Sequence, residues 1–130
     1  MTELAYADAS ALVKLVVEEA ESLVLLRWYA EAERVATSRI GVVETVRASA
    51  RRAHDPTHRD RVVQDIEVIE LDAAIARAAS SIEPAGLRTL DAIHLATALR
   101  LLPELDAFVT YDDRLADAAR AIGLPVVRPA

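Results

Sequence analysis

Residues 4–14, LAYADASALVK, change character midway: Leu4 to Ala7 form an apolar run that reads as a buried strand, and Ser10 to Lys14 open a stretch with helical periodicity. One carboxylate, Asp8, stands at the seam. Read outward, the chain repeats this pattern. Short apolar runs at 35–37 (VAT), 68–71 (VIEL) and 107–110 (AFVT), with 125–127 (PVV) as a candidate fifth, alternate with helical stretches. Those stretches cover 10–31 as one helix or two, then 39–53, 57–66, 73–82, 90–101 and 114–122. Strands alternating with helices predict an α/β fold, a parallel sheet of four to five strands covered by helices on both faces.

Ser38, Asp72, Thr89 and Asp112 stand where helix N-caps are expected, and Gly123 with Pro125 beyond it marks a helix end. Turn signals are short and no repeat or Pro/Gly/Ser linker interrupts the chain, so residues 1–130 are expected to form a single domain. In open α/β sheets ligands bind beyond the carboxyl ends of the strands. Asp8 follows the first strand and Asp112 the fourth, which aims both at that edge.

Composition bounds the function. Hydrophobic residues make up 53% and charged residues 28%, with three Gly and five Pro, as expected of an ordered, helix-rich globule. No Cys is present, which rules out disulfides and zinc–thiolate sites and suits a reducing, cytoplasmic compartment. Charges interrupt every apolar run, so neither a signal peptide nor a membrane span is expected. The net charge of −6 weighs against a protein that merely coats nucleic acid. It is compatible with a metal-dependent nuclease, in which carboxylates hold the cations that meet the phosphate.

Each acid has a structural reading beside a functional one. Asp8 is either an N-cap or a site residue. Glu44, in SRIGVVETVRASARR (38–52), shares a helical face with Ile40 and Ala48, and would pair with Arg47 or Arg51 if its role were structural. Asp91, in GLRTLDAIHLATALR (86–100), suits the first turn of a helix, with His94 as a hydrogen-bonding neighbour three residues on. Asp112 and Asp113, in FVTYDDRLADAA (108–119), share a strand-to-helix junction, one as cap and the other facing the edge. Together they are carboxylates at strand ends and on apolar helix faces, where unpaired charge is costly, so a cation is expected among them. An all-oxygen donor set points to Mg²⁺ or Mn²⁺. His54 and His58, four apart, raise the separate question of a second metal site. Arg47 and Arg51 continue the Glu44 face as candidate phosphate ligands, although 14 of the 15 basic residues are Arg and a solvated face explains them equally. Leu23, Leu26 and Trp28 exceed what one helix face easily buries; core packing explains most of this, and a remaining exposed stripe would suit a partner helix or a homodimer.

Four blocks, YADASALVKL (6–15), VVETVR (42–47), LRTLDAIHLATAL (87–99) and FVTYDDRLADAA (108–119), carry a resemblance to the PIN-domain family, specifically to VapC-type toxin ribonucleases of type II toxin–antitoxin pairs. The resemblance spans nearly the whole chain. It implies a PIN-like three-layer α/β/α fold, an acidic quartet of Asp8, Glu44, Asp91 and Asp112, and supporting hydroxyls from Ser10 and Thr110. Asp113 is an extra neighbour that shares or replaces the role of Asp112. It also implies Mg²⁺ or Mn²⁺ held by Asp8, Asp91 and Asp112, RNA as the substrate, cleavage leaving a 5′-phosphate, a VapB-type antitoxin as partner, and a homodimer. Two alternatives stand beside it: a phosphatase or phosphoacceptor domain using Asp8 as nucleophile, which lacks the expected second acid at Ser10, and a non-catalytic PIN-like binding module.

Overall fold

The computed structural model describes residues 2–130. Its strands are β1 (Leu4–Ala7), β2 (Arg34–Ser38), β3 (Glu67–Ile69), β4 (Ala107–Val109) and β5 (Val126–Val127). Its helices are α1 (Ala9–Val16), α2 (Ser22–Glu31), α3 (Arg39–Ala50), α4 (Pro56–Gln64), α5 (Ala73–Ser80), α6 (Thr89–Leu99) and α7 (Asp113–Ala121). The strands form one parallel sheet in the order β3-β2-β1-β4-β5. The central pair, β1 and β4, is buried at every position, as near-continuous apolar runs in a covered parallel sheet require.

Side chains alternate across β1 and divide the interior in two. Leu4 and Tyr6 pack with Phe108 of β4, Leu95 of α6 and Leu115 of α7. Ala5 and Ala7 face the other way, onto Leu12 and Leu15 of α1 and Leu25 of α2. The layering is therefore α/β/α. Among the described residues no helix is long and apolar enough to cross a membrane.

The seam residues do what their chemistry predicts. Asp8, Ser38, Asp72 and Asp112 each accept a hydrogen bond from a backbone N–H in the first turn of the helix that follows. At the end of α7 Gly123 takes φ 86°, with Gly123 N–H donating to Arg120 O and Leu124 N–H to Ala119 O. This left-handed closure favours glycine. Residues 10–31 form two helices, the second of the two readings, and Val17 leaves α1 in extended conformation. Two expectations shift. Thr89 is not a cap: the extended Arg88 precedes α6, and Thr89 lies inside the first turn. The third strand runs 67–69 instead of 68–71, because it is an edge strand paired only with β2 and Glu70 leaves the ladder to bond Arg39.

Candidate active site

The chain leaves β1 for β2 and β3 on one side, and later returns to place β4 and β5 on the other. The order therefore reverses between β1 and β4, and the carboxyl ends of these two strands form the crevice where such sheets bind ligands. Asp8 leaves β1 there, and Thr110, Tyr111 and Asp112 leave β4.

Asp8 is 4% exposed and engaged through both oxygens. Oδ1 accepts from Ser10 Oγ at 2.7 Å and Ala11 N at 3.1 Å, and Oδ2 accepts from Thr110 Oγ1 at 2.7 Å. The hydroxyls are held in turn: Ser10 Oγ accepts from Tyr111 N, and Thr110 Oγ1 from Asp112 N. Burial pushes the Asp8 carboxyl above its ordinary range, against the hydrogen bonds from Thr110, Ser10 and Ala11 that favour the carboxylate. Asp8 is thus both a cap and a buried carboxyl with no cationic partner among the described residues.

Asp112 caps α7 through Oδ1, which accepts from Arg114 N and Leu115 N, and turns Oδ2 toward the crevice. Its neighbour Asp113 is turned outward to Arg128, 2.7 Å away. Asp91 is buried in the first turn of α6. Arg88 joins the two inward acids: its Nε donates to Asp91 Oδ2 at 3.0 Å and its Nη2 to Asp112 Oδ2 at 2.7 Å. The cation expected among the acids is, in this structure, a guanidinium of the same chain. Sequence reasoning missed Arg88. The three-residue interval to Asp91 was its only local signal, since the approach to Asp112 depends on the fold.

Glu44 lies elsewhere than its structural reading placed it. Its partner is neither Arg47 nor Arg51 but His94, whose Nε2 lies 2.7 Å from Oε1. His94 is consequently not paired with Asp91; its Nδ1 meets the Tyr6 hydroxyl at 2.6 Å. The reason is helical geometry, because the buried face of α6 that carries His94 points at β1 and α3 while Asp91 stands at the helix mouth. A groove of ≈ 970 Å³ between α1 and α3 runs from Ser10, Glu44 and Tyr111 to Arg47 and Arg51. His54 and His58 do not share a site: His54 Nδ1 meets Arg52 O, and His58 Nε2 meets Leu15 O. On α2, Leu23 is 61% and Leu26 41% exposed, while Leu25 is buried.

Among the described residues no three acidic or histidine side chains form a ready metal cage. The donor set nevertheless fits a hard divalent ion, because Asp91 and Asp112 already converge on one cationic group and Asp8 brings a buried charge to the same crevice.

The PIN domain family matches residues 5–121. Ribonuclease VapC47 of Mycobacterium tuberculosis (strain CDC 1551 / Oshkosh) is 41% identical over 130 residues, covering 95% of this chain and 96% of the relative. Ribonuclease VapC46 of M. tuberculosis (strain ATCC 25618 / H37Rv) is 39% identical with the same coverage. Among solved structures, M. tuberculosis VapC20, described as a sarcin–ricin loop cleaving toxin, aligns with a TM-score of 0.72 at 18% identity, over 96% of this chain and 99% of that one. FitAB bound to an IR36 DNA fragment aligns with a TM-score of 0.68, also at 18% identity, over 96% and 94%. At that identity the two structures speak for the fold alone.

Proposed function

The chain belongs to the PIN-domain family, in its VapC-type branch, and from that premise we propose that it is a divalent-metal-dependent endoribonuclease, the toxin of a type II toxin–antitoxin pair. The supporting observation is the crevice at the β1/β4 reversal, where Asp8 is bonded to Thr110, Arg88 joins Asp91 to Asp112, and Glu44 lines the groove that opens beside it.

Asp8, Asp91 and Asp112 are the residues that would hold Mg²⁺ or Mn²⁺. Chemistry supplied by the bound ion would be a more acidic water and neutralised phosphate charge. Ser10 and Thr110 fix both oxygens of Asp8, so the carboxylate is oriented before any ligand arrives. Glu44 spends Oε1 on His94 and keeps Oε2 to accept a proton from the attacking water. Arg47 and Arg51 extend the groove as ligands for substrate phosphates, beside Lys14 on its wall, and Arg88 is the cation that now bridges Asp91 and Asp112. The 3′-oxygen leaves without a dedicated protein acid, and the product carries a 5′-phosphate. The position where a phosphoacceptor domain needs its second acid holds Ser10, which donates to Asp8 Oδ1, so the aspartyl-phosphate reading is the poorer one.

A VapB-type antitoxin is the proposed partner, an apolar segment covering Leu23 and Leu26 of α2 and an Arg reaching the acids as Arg88 does within this chain. The same exposed face suits a homodimer.

Purified chain incubated with single-stranded RNA and Mg²⁺ or Mn²⁺ should cleave it, EDTA should stop the reaction, and restored metal should restart it. Cleavage that persists in EDTA overturns the proposal.

A further inference from the structure

Behind the acids lies a buried polar chain that the proposed chemistry does not use. Tyr6, Ser38 and His94 are at most 1% exposed. Ser38 N lies 3.2 Å from the Tyr6 hydroxyl, that hydroxyl lies 2.6 Å from His94 Nδ1, and His94 Nε2 lies 2.7 Å from Glu44 Oε1. Proton bookkeeping orders these contacts. Ser38 N–H can only donate, so Tyr6 oxygen accepts from it. A neutral imidazole protonated on Nδ1 would turn the Nε2 lone pair on the Glu44 carboxylate. An imidazolium would donate to Tyr6 as well, so the Tyr6 oxygen would accept twice and its proton would have to turn from the ring toward the Thr37 hydroxyl. With Tyr6 O–H donating to Nδ1 and Nε2–H donating to Glu44, every donor has its acceptor.

We propose that Tyr6 and His94 are positioning residues for Glu44: Tyr6 fixes His94 as the neutral Nε2–H tautomer, and His94 holds the Glu44 carboxylate at the mouth of the groove. The inference rests on the reading of Glu44 as the group that takes the water proton.

A second observation points the same way. Glu44 rides on α3, which must sit low over the sheet for its carboxylate to reach a buried ring. Gly41, one turn earlier, allows this: a Cβ there would collide with Thr37 Oγ1 and press on His94 Cε1 at 3.1 Å. Thr37 has little room to yield, since its hydroxyl is tied to Ala7 O at 2.7 Å. The Tyr6 ring is equally fixed, stacked on Phe108 with centroids 5.3 Å apart. A half-exposed glutamate on a helix surface would otherwise sample several rotamers, and here it is bonded to a ring that cannot move.

The test is spectroscopic first. Long-range ¹H–¹⁵N correlation on ¹⁵N-labelled, metal-free protein should show His94 neutral, protonated on Nε2, with Nδ1 a bare acceptor. In Tyr6→Phe, which keeps the ring stack, the fixed tautomer should be lost, and kcat on single-stranded RNA should fall about 10- to 100-fold with KM and Mn²⁺ affinity by calorimetry within about twofold. His94→Gln, whose amide still donates to Glu44, should retain more activity than His94→Ala. An Nδ1–H tautomer or an imidazolium in the wild type overturns the inference, as does unchanged kcat in Tyr6→Phe. If Tyr6→Phe fails to fold, the wild-type tautomer and the Gln/Ala pair at position 94 decide the matter. If the wild type cleaves no RNA, the functional reading fails while the tautomer result stands independently.

Discussion

The central strand β1 meets an aspartate at each end, and the two are opposites. At its amino end the carboxylate of Asp106 accepts from Glu3 N at 2.9 Å and Leu4 N at 3.0 Å on the open surface, and these bonds hold its carboxyl below the usual range. At its carboxyl end Asp8 accepts three bonds to the two of Asp106, yet burial pushes its carboxyl up. One charge favours the fold and the other opposes it. The same side chain beside the same strand therefore serves structure where water reaches it and costs stability where water does not.

The largest effect that sharpens this contrast is Asp8→Asn. RNA cleavage should fall by about 10³-fold. Stability should move the other way. A carboxyl whose folded pKa is raised contributes stability below its unfolded pKa and loses it as pH rises through the folded value, so above the unfolded value Asp8 works against folding. The amide should raise the thermal midpoint at pH 7, by roughly 4 °C for each kcal/mol relieved, and the gain should shrink as acid protonates the wild type. A lower midpoint in Asp8→Asn at pH 7 would break the comparison.

Removing the guanidinium that serves the carboxyl end comes next. Arg88→Ala frees Asp91 and Asp112, so calorimetry should find Mn²⁺ bound up to about fivefold more tightly, a small gain because the Arg88 side chain is 60% exposed. Weaker Mn²⁺ binding would mean that Arg88 organises the acids instead of competing for them. Farther along the groove, Arg47 and Arg51 replaced together by Ala should reduce the slope of log affinity against log salt by about 1.4 for single-stranded RNA, and an unaltered slope would return them to a solvated face.

The smallest effect on function is at the other end of β1. Asp106→Ala should leave cleavage unchanged and lower the thermal midpoint at pH 7. A depressed carboxyl pKa gives stability above the unfolded value, near 3.8, and loses it as pH falls through the folded one. The difference between wild type and variant should therefore close in strong acid.

What could be read before folding follows the same division. Asp8, Ser38, Asp72 and Asp112 announce helix starts because a cap acts on its own next turn. The position of Asp8 and Asp112 at one edge was legible too, since an alternating chain puts strand ends together. The partners were not. Nothing within a few residues of His94 says that it faces Tyr6 and Glu44 instead of Asp91, because that depends on α6 and α3 meeting over the end of β2. Arg88 likewise shows its link to Asp91 in the sequence and hides its link to Asp112. Local chemistry writes the caps; tertiary contact chooses which charges meet.

The bond from Thr110 to Asp8 spans 102 residues, and that from Tyr6 to His94 spans 88. Loops of that length close late, after local helices and near-neighbour strands have formed. On a ribosome, a chain stopped before Ala107 would carry Asp8 without its threonine and Asp91 without Asp112. The crevice comes into being only when β4 pairs with β1, so the candidate site is assembled by a long-range step and by no local element alone.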